Sequence, residues 1–472
     1  MKKDYLKKLI LLLTLSIFIG VLTIAALINN PDIVDRSIIL SPREMIFVLF
    51  SGMVILMGLF GFTNLLNDER KSLASMQYTL DSTDYQNNKE SDTESPLTNN
   101  ETEESEETKE TENRLRFFML NELDRRAELK KTYRFKNEVT LQTLCEEFRQ
   151  FSAYKLGLYY DISDIRRFIG GLGVSHIMIL QGMSGTGKTS LAYAFGDYLA
   201  NPTTVVPIQP MWKERTDLIG YYNEFTKKFN ETTLLQKLYV ANHDDQMYIT
   251  VLDEMNIARV EYYFAEFLSL LELPDHNKRH LDVISDVWES DPSLLTDGKL
   301  VLPKNMWFIG TANNDDSTFS ISDKVYDRAM VLNLDKKAKA FVAKPIHSRS
   351  ISTTHFIKMV KTAQEKYALS ERNKRRIQTL DKYLMKHYQI TFGNRIMKQI
   401  YDYVPIIIES GGSELSALDD VISKKVLRKL ETKNMVYVKN SAPGLIAFIE
   451  ELFGENTMEL CVAYIKNIEI NV

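Results

Sequence analysis

Apolar and polar positions divide this chain into stretches of sharply different character. Residues 9–28 are uncharged over twenty positions and follow four lysines within residues 1–8. Such a run is long enough to span a bilayer, and the lysines before it favour a cytoplasmic N-terminus. Residues 45–66 form a second apolar stretch, closed by Arg70 and Lys71. The pattern therefore predicts two transmembrane helices, a hairpin over residues 1–66 with both ends in the cytoplasm. A cleaved signal peptide is the competing reading of the first run, but its apolar core is long and Ala25-Ala26-Leu27 is a poor cleavage site.

Residues 67–112 are rich in Ser, Thr, Asn and Glu and nearly free of large aliphatics. They cannot bury enough apolar surface to offset ordering entropy, so a disordered acidic linker is expected. Helical spacing then returns over residues 114–135 and 140–155, as at Leu141, Leu144, Phe148 and Phe151, and predicts a helical lead-in across residues 113–170. Asp161 and Ser163 offer caps for a short helix that Gly170-Gly171 would end. Short buried-strand patterns follow at residues 176–180, 204–208, 248–252 and 306–312, and residues 190–199 between the first two are helical in spacing. Residues 274–303 hold short β-prone pieces and read as a hairpin insertion. Residues 432–472 are too weakly patterned to assign.

Charge changes this picture in one respect. The chain of 472 residues carries a formal net charge of −5, but residues 68–112 alone carry −10 and residues 113–472 carry +3. The acidity belongs to the linker, and no basic excess in the folded part demands nucleic acid. Only Cys145 and Cys461 are present, without paired spacing, so neither a disulfide framework nor a zinc site follows.

The candidate chemistry begins at Gly182-Met183-Ser184-Gly185-Thr186-Gly187-Lys188-Thr189, which matches the phosphate-loop pattern G-x-x-x-x-G-K-[ST] at every fixed position. A strand before it and a helix after it supply the context that the motif needs. Glycines let backbone N–H groups turn inward around an anion, and the helix N-terminus adds partial positive charge, so residues 182–190, Ser190 included, are the expected phosphate contacts. Lys188 would reach the β- and γ-phosphates, and the Thr189 hydroxyl would ligate Mg²⁺.

The strand at residues 248–252 ends in adjacent carboxylates. Asp253 suits a Mg²⁺ site begun by Thr189, and Glu254 suits activation of an attacking water. The strand at residues 306–312 delivers Asn313 to the same edge, where an amide could position that water; a turn-forming Asn pair is the simpler alternative. The aromatic stretch at residues 212–222 is open between a surface loop and a substrate-facing role.

Together these motifs resemble the AAA+ ATPases, and specifically the McrB-type branch related to dynein and midasin modules. The resemblance runs over residues 157–431 and rests on residues 182–189 as Walker A, on Leu252-Asp253-Glu254-Met255-Asn256-Ile257-Ala258-Arg259 as Walker B with its extension, on Phe308-Ile309-Gly310-Thr311-Ala312-Asn313 as sensor 1, and on the stretches at residues 212–222 and 261–268. It implies an α/β P-loop core with a parallel sheet over residues 171–333 and a helical lid over residues 334–431. It also implies ATP and Mg²⁺ as ligands and self-assembly into a ring, usually a hexamer, with active sites at subunit boundaries.

Arg328, in Tyr326-Asp327-Arg328-Ala329, is then the first choice for an arginine finger and Arg259 the second. Arg395, in Thr391-Phe392-Gly393-Asn394-Arg395, resembles sensor 2 and would touch phosphate from the same subunit. Two departures from the restriction enzymes of this branch weigh against GTP preference and methylated-DNA cleavage. Ser317 stands where their Asn-x-x-Asp-Arg-Ser word has Arg, and a membrane hairpin stands where they have a DNA-reading domain. The expectation is a multi-pass cell-membrane ATPase, its catalytic part cytoplasmic, acting on a protein partner. The alternatives are a nucleic-acid motor working with a separate nuclease and a nucleotide-gated membrane scaffold.

Overall fold

The computed structural model describes residues 115–129, 134–313, 318–335 and 338–470. The expected transmembrane hairpin and acidic linker lie outside the described residues, as do Asn314, Asp315, Asp316 and Ser317. Among the described residues no helix is long and apolar enough to cross a membrane.

A five-stranded sheet organises the fold. Its strands are β1 (Ile177–Gln181), β2 (Thr204–Pro207), β5 (Tyr248–Asp253), β8 (Met306–Ala312) and β9 (Met330–Asn333), in the order β2-β5-β8-β1-β9. Every pairing in it is parallel. All seven residues of β8 are buried, as a central parallel strand covered on both faces requires. Alternation sends Met178 and Leu180 to one apolar cluster and Ile177 and Ile179 to the other, so each face of the sheet has its own core.

The first face is covered by α2 (Leu141–Leu156), α3 (Ile162–Val174) and α4 (Lys188–Tyr198). Thr140 caps the start of α2 through its hydroxyl, and Gly157 at φ 66° ends it. Helix α3 corrects the sequence reading, because it continues through Gly170-Gly171 to Val174. The two glycines serve close packing here: a Cβ on Gly170 would lie 2.8 Å from Ile407 Cδ1, and one on Gly171 would lie 2.3 Å from Met178 Cε. Tertiary contact has overridden a local stop signal.

The opposite face is covered by α1 (Phe118–Leu129), α5 (Thr216–Ile219), α6 (Thr233–Ala241), α7 (Val260–Tyr263), α8 (Ala265–Leu270) and α9 (Asp323–Tyr326). Two small hairpins are inserted on this side. One pairs β3 (Tyr222–Asn223) with β4 (Lys228–Phe229), and the other pairs β6 (His280–Asp282) with β7 (Lys299–Val301) within the insertion expected at residues 274–303. The first hairpin and the edge strand β9 were not legible in the sequence.

After β9 the chain is helical. Helices α10 (Thr353–Lys366), α11 (Glu371–Tyr388), α12 (Gly393–Glu409) and α13 (Glu414–Val421) are followed by a π-turn at Ile422–Val426 and a 3₁₀ segment at Leu427–Thr432. The stretch left unassigned from sequence forms α14 (Met435–Phe453) and α15 (Glu459–Ile470). Cys461 of α15 donates its backbone N–H to Asp419 of α13 at 2.8 Å, which ties the last helix to this helical unit.

Candidate active site

The loop between β1 and α4 takes the backbone form expected of an anion cradle. Gly182, Gly185 and Gly187 have φ of 140°, 76° and 92°, values that side chains resist. At Gly182 a Cβ would also stand 2.5 Å from the Leu334 carbonyl oxygen, so the residue just after β9 presses directly on the loop. No side chain caps the N-terminus of α4. A helix start without a side-chain cap suits an anion.

Lys188 is 7% exposed and folds back under the loop, where Nζ donates to the carbonyls of Gly182 at 2.9 Å and Met183 at 2.8 Å. Thr186 Oγ1 donates to the Met183 carbonyl at 2.9 Å, while Met183 and Ser184 are exposed at the loop's outer rim. Thr189 Oγ1 donates to Asp253 Oδ1 at 2.8 Å, and the same oxygen accepts from Thr311 Oγ1 at 2.8 Å. One carboxylate oxygen thus joins the phosphate loop, the tip of β5 and the tip of β8. Ser190 lies one residue further along α4 and is partly buried.

Glu254 follows with φ 52° and ψ 48°, a left-handed conformation in a non-glycine residue, and its side chain is exposed. Its backbone N–H donates to Thr311 Oγ1 at 2.9 Å, which holds the strained turn in place. Asn313 sits at the tip of β8, and its carbonyl accepts from Asn256 Nδ2 at 3.0 Å and Thr318 Oγ1 at 3.2 Å. Asn313 lines a cavity of about 510 Å³ with Asn256, Gln181, Asn333, Lys424 and Arg428. The strand tips that carry Asp253 and Asn313 are adjacent through the β5–β8 pairing.

Two of the candidate arginines meet at one carboxylate. Arg328 pairs with Glu272 Oε1 at 2.7 Å, and Arg395 pairs with the same oxygen at 2.6 Å. The hydrogen bond and charge of Arg328, with the charge of Arg395, hold the Glu272 carboxyl below its ordinary range. Arg395, the sensor 2 candidate, and Arg328, the finger candidate, thus share one carboxylate partner. Arg259 lies over the Phe319 ring, 5.0 Å from its centroid, and is exposed.

One part of the site had no counterpart in the sequence reading. A cleft of about 290 Å³ opens beside the loop, walled by Leu158, Tyr159 and Tyr160 on one side and by Gly185, Thr186 and Gly187 on the other. Tyr160 Oη donates to the Gly187 carbonyl at 3.1 Å. The aromatic pair after Gly157 was the only signal for it.

The donor set fits a metal-bound nucleotide. A hydroxyl and a carboxylate within hydrogen-bond distance are hard oxygen ligands of the kind Mg²⁺ takes, with phosphate and water filling the remaining positions. The positive-φ glycines of the loop and the helix that starts behind them suit the phosphates.

Residues 177–329 match the family model described as an AAA domain (dynein-related subfamily), and residues 346–470 match one described as a domain of unknown function (DUF8727). No curated protein matches the chain. Among solved structures, a candidate ATPase from Cytophaga hutchinsonii is 13% identical with a TM-score of 0.42, over 78% of this chain and 98% of that one. A full-length MCM homolog from Methanopyrus kandleri is 10% identical with a TM-score of 0.34, over 69% of this chain and 62% of that one.

Proposed function

We propose that this chain, which carries an AAA-type ATPase domain, hydrolyses ATP with Mg²⁺ and uses the turnover to remodel or move a protein partner at the membrane. The observation that carries the reading is the 2.8 Å bond from Thr189 to Asp253 at the mouth of a glycine loop whose lysine is buried beneath it. When bound, Mg²⁺ neutralises charge on the β- and γ-phosphate oxygens, and Thr189 and Asp253 are the residues that would hold it. Lys188 exchanges its loop carbonyls for phosphate oxygens. Glu254 accepts a proton from the attacking water, and Asn313 holds that water in line.

Arg328 serves a neighbouring subunit's phosphates in a ring, for which a hexamer is the expectation from resemblance. Arg395, which shares Glu272 with Arg328, is the sensor 2 residue of this reading and touches phosphate from the same subunit. Lys188→Ala should abolish nucleotide binding, and undiminished affinity would remove the loop's role. Mixing Arg328→Ala with Lys188→Ala subunits should restore part of the turnover that each lacks alone. No recovery at equal assembly would place the finger elsewhere.

The membrane tether rests on the apolar runs at residues 9–28 and 45–66. Full-length protein should stay with membranes through an alkaline carbonate wash, and release into the supernatant would refute the anchor. A Glu254→Gln trap should retain a membrane protein partner. Turnover stimulated by DNA and suppressed by salt would support the nucleic-acid motor instead.

A further inference from the structure

The short turn that carries Arg328 is held by its backbone from elsewhere in the fold. Four consecutive carbonyls accept from side chains: Lys425 Nζ donates to those of Tyr326 and Ala329, Gln399 Nε2 to that of Asp327 at 3.2 Å, and Ser175 Oγ to that of Arg328 at 3.0 Å. Two of these donors belong to the helical unit after β9 and are deeply buried, Lys425 at 3% and Gln399 at 8% exposure. Burying a lysine is unfavourable unless fixed acceptors receive its protons. Lys425 has two such acceptors, one on each side of Arg328.

Lys425 also sits in the π-turn Ile422–Val426, a local distortion that often accompanies function. The preceding residue, Lys424, lines the cavity that Asn313 enters. A single turn of the lid therefore borders both the chain's own sheet edge and the backbone of its finger. The charged groups around Lys425 are Asp327 on the finger turn, Arg428 and Lys429 on the following segment, and Arg395 on α12.

We infer that Lys425, seconded by Gln399, is a positioning residue for Arg328, through which the lid of one subunit sets the finger that serves the next. The inference rests on the proposed trans role of Arg328 and adds the element that aims it. Misplacing a charge-stabilising group by about 1 Å costs on the order of a hundredfold in rate. Lys425→Met keeps the length of the stem and removes the donors.

This variant should bind nucleotide as the wild type does and assemble equally. Its kcat should fall about a hundredfold while KM stays nearly constant. Mixed with Lys188→Ala subunits, whose lids and fingers are intact, it should regain turnover, as an Arg328→Ala mixture does. Rescue of the Arg328→Ala mixture alone would overturn the role of Lys425 and leave the finger standing. Failure of both mixtures would remove the finger reading itself. Should Lys425→Met not fold, Gln399→Leu takes the same assays, with a smaller fall in kcat expected and an unchanged kcat contradicting the inference.

Discussion

Asp253→Asn separates the structural and metal-binding roles of one oxygen. Asp253 Oδ1 accepts hydroxyl donors from Thr189 and Thr311 at 2.8 Å each. A bond to a charged acceptor contributes about 1.5–3 kcal/mol and one to a neutral acceptor about 0.5–1.5, so two such bonds would lose roughly 2–3 kcal/mol. Asp253 is only partly buried, and solvent lowers the expected loss to about 1–2 kcal/mol. At about 2–4 °C per kcal/mol for a large domain, the unliganded melting temperature should drop by roughly 2–8 °C.

The larger effect belongs to the liganded protein. A ligand at about a hundred times its dissociation constant stabilises the native state by about 2.7 kcal/mol. Thermal melts with a non-hydrolysable ATP analogue, with and without Mg²⁺, read that increment directly. Wild-type protein should show a Mg²⁺-dependent rise beyond the analogue alone, and Asp253→Asn should lose most of it. An equal Mg²⁺-dependent rise in the variant would show that Asp253 is not a metal ligand.

Two other perturbations test the surrounding structure. Arg116, 1% exposed, meets both oxygens of Asp291 at 2.6 and 2.5 Å and lies 4.6 Å from the Trp288 ring centroid. Arg116→Ala leaves that carboxylate buried without its cation, so urea unfolding should show a loss of about 3–5 kcal/mol; a loss below about 1 kcal/mol would contradict the pairing. Burial pushes the Lys425 ammonium down from 10.5 to about 7. Between those values the unfolded chain holds a proton that the folded chain has released, so this site adds stability as pH rises and loses it as pH falls through about 7. The stability difference between wild type and Lys425→Met should therefore grow with pH from 7 to 9, by up to about 1.4 kcal/mol per unit, and a flat difference would refute the shift.

What the sequence revealed and what it hid follow from the range of the interactions. Buried parallel strands read as unbroken apolar runs, which is why β1, β5 and β8 and the polar residues at their tips stood out. Strand β9 has four residues behind a polar turn, too little pattern to separate from a loop. The Gly170-Gly171 stop in α3 was misread because Ile407 and Met178, which make glycine fit there, are distant or on another element. The hold of the later helices on the Arg328 turn was invisible for the same reason: Gln399 and Lys425 reach it across 72 and 99 residues. Glu272 carried no motif at all, and only the fold shows that it gathers Arg328 and Arg395.

Single-turnover phosphate release from ATP by Glu254→Gln shows whether strand tips distant in sequence form one hydrolytic site. Because Glu254 is exposed and strained while Asp253 keeps both hydroxyl partners, the variant should bind Mg²⁺ and ATP with near wild-type affinity. Removal of a general base should slow phosphate release by roughly a hundred- to ten-thousandfold. Release at the wild-type rate by nucleotide-saturated Glu254→Gln would show that these strand tips do not form the hydrolytic site.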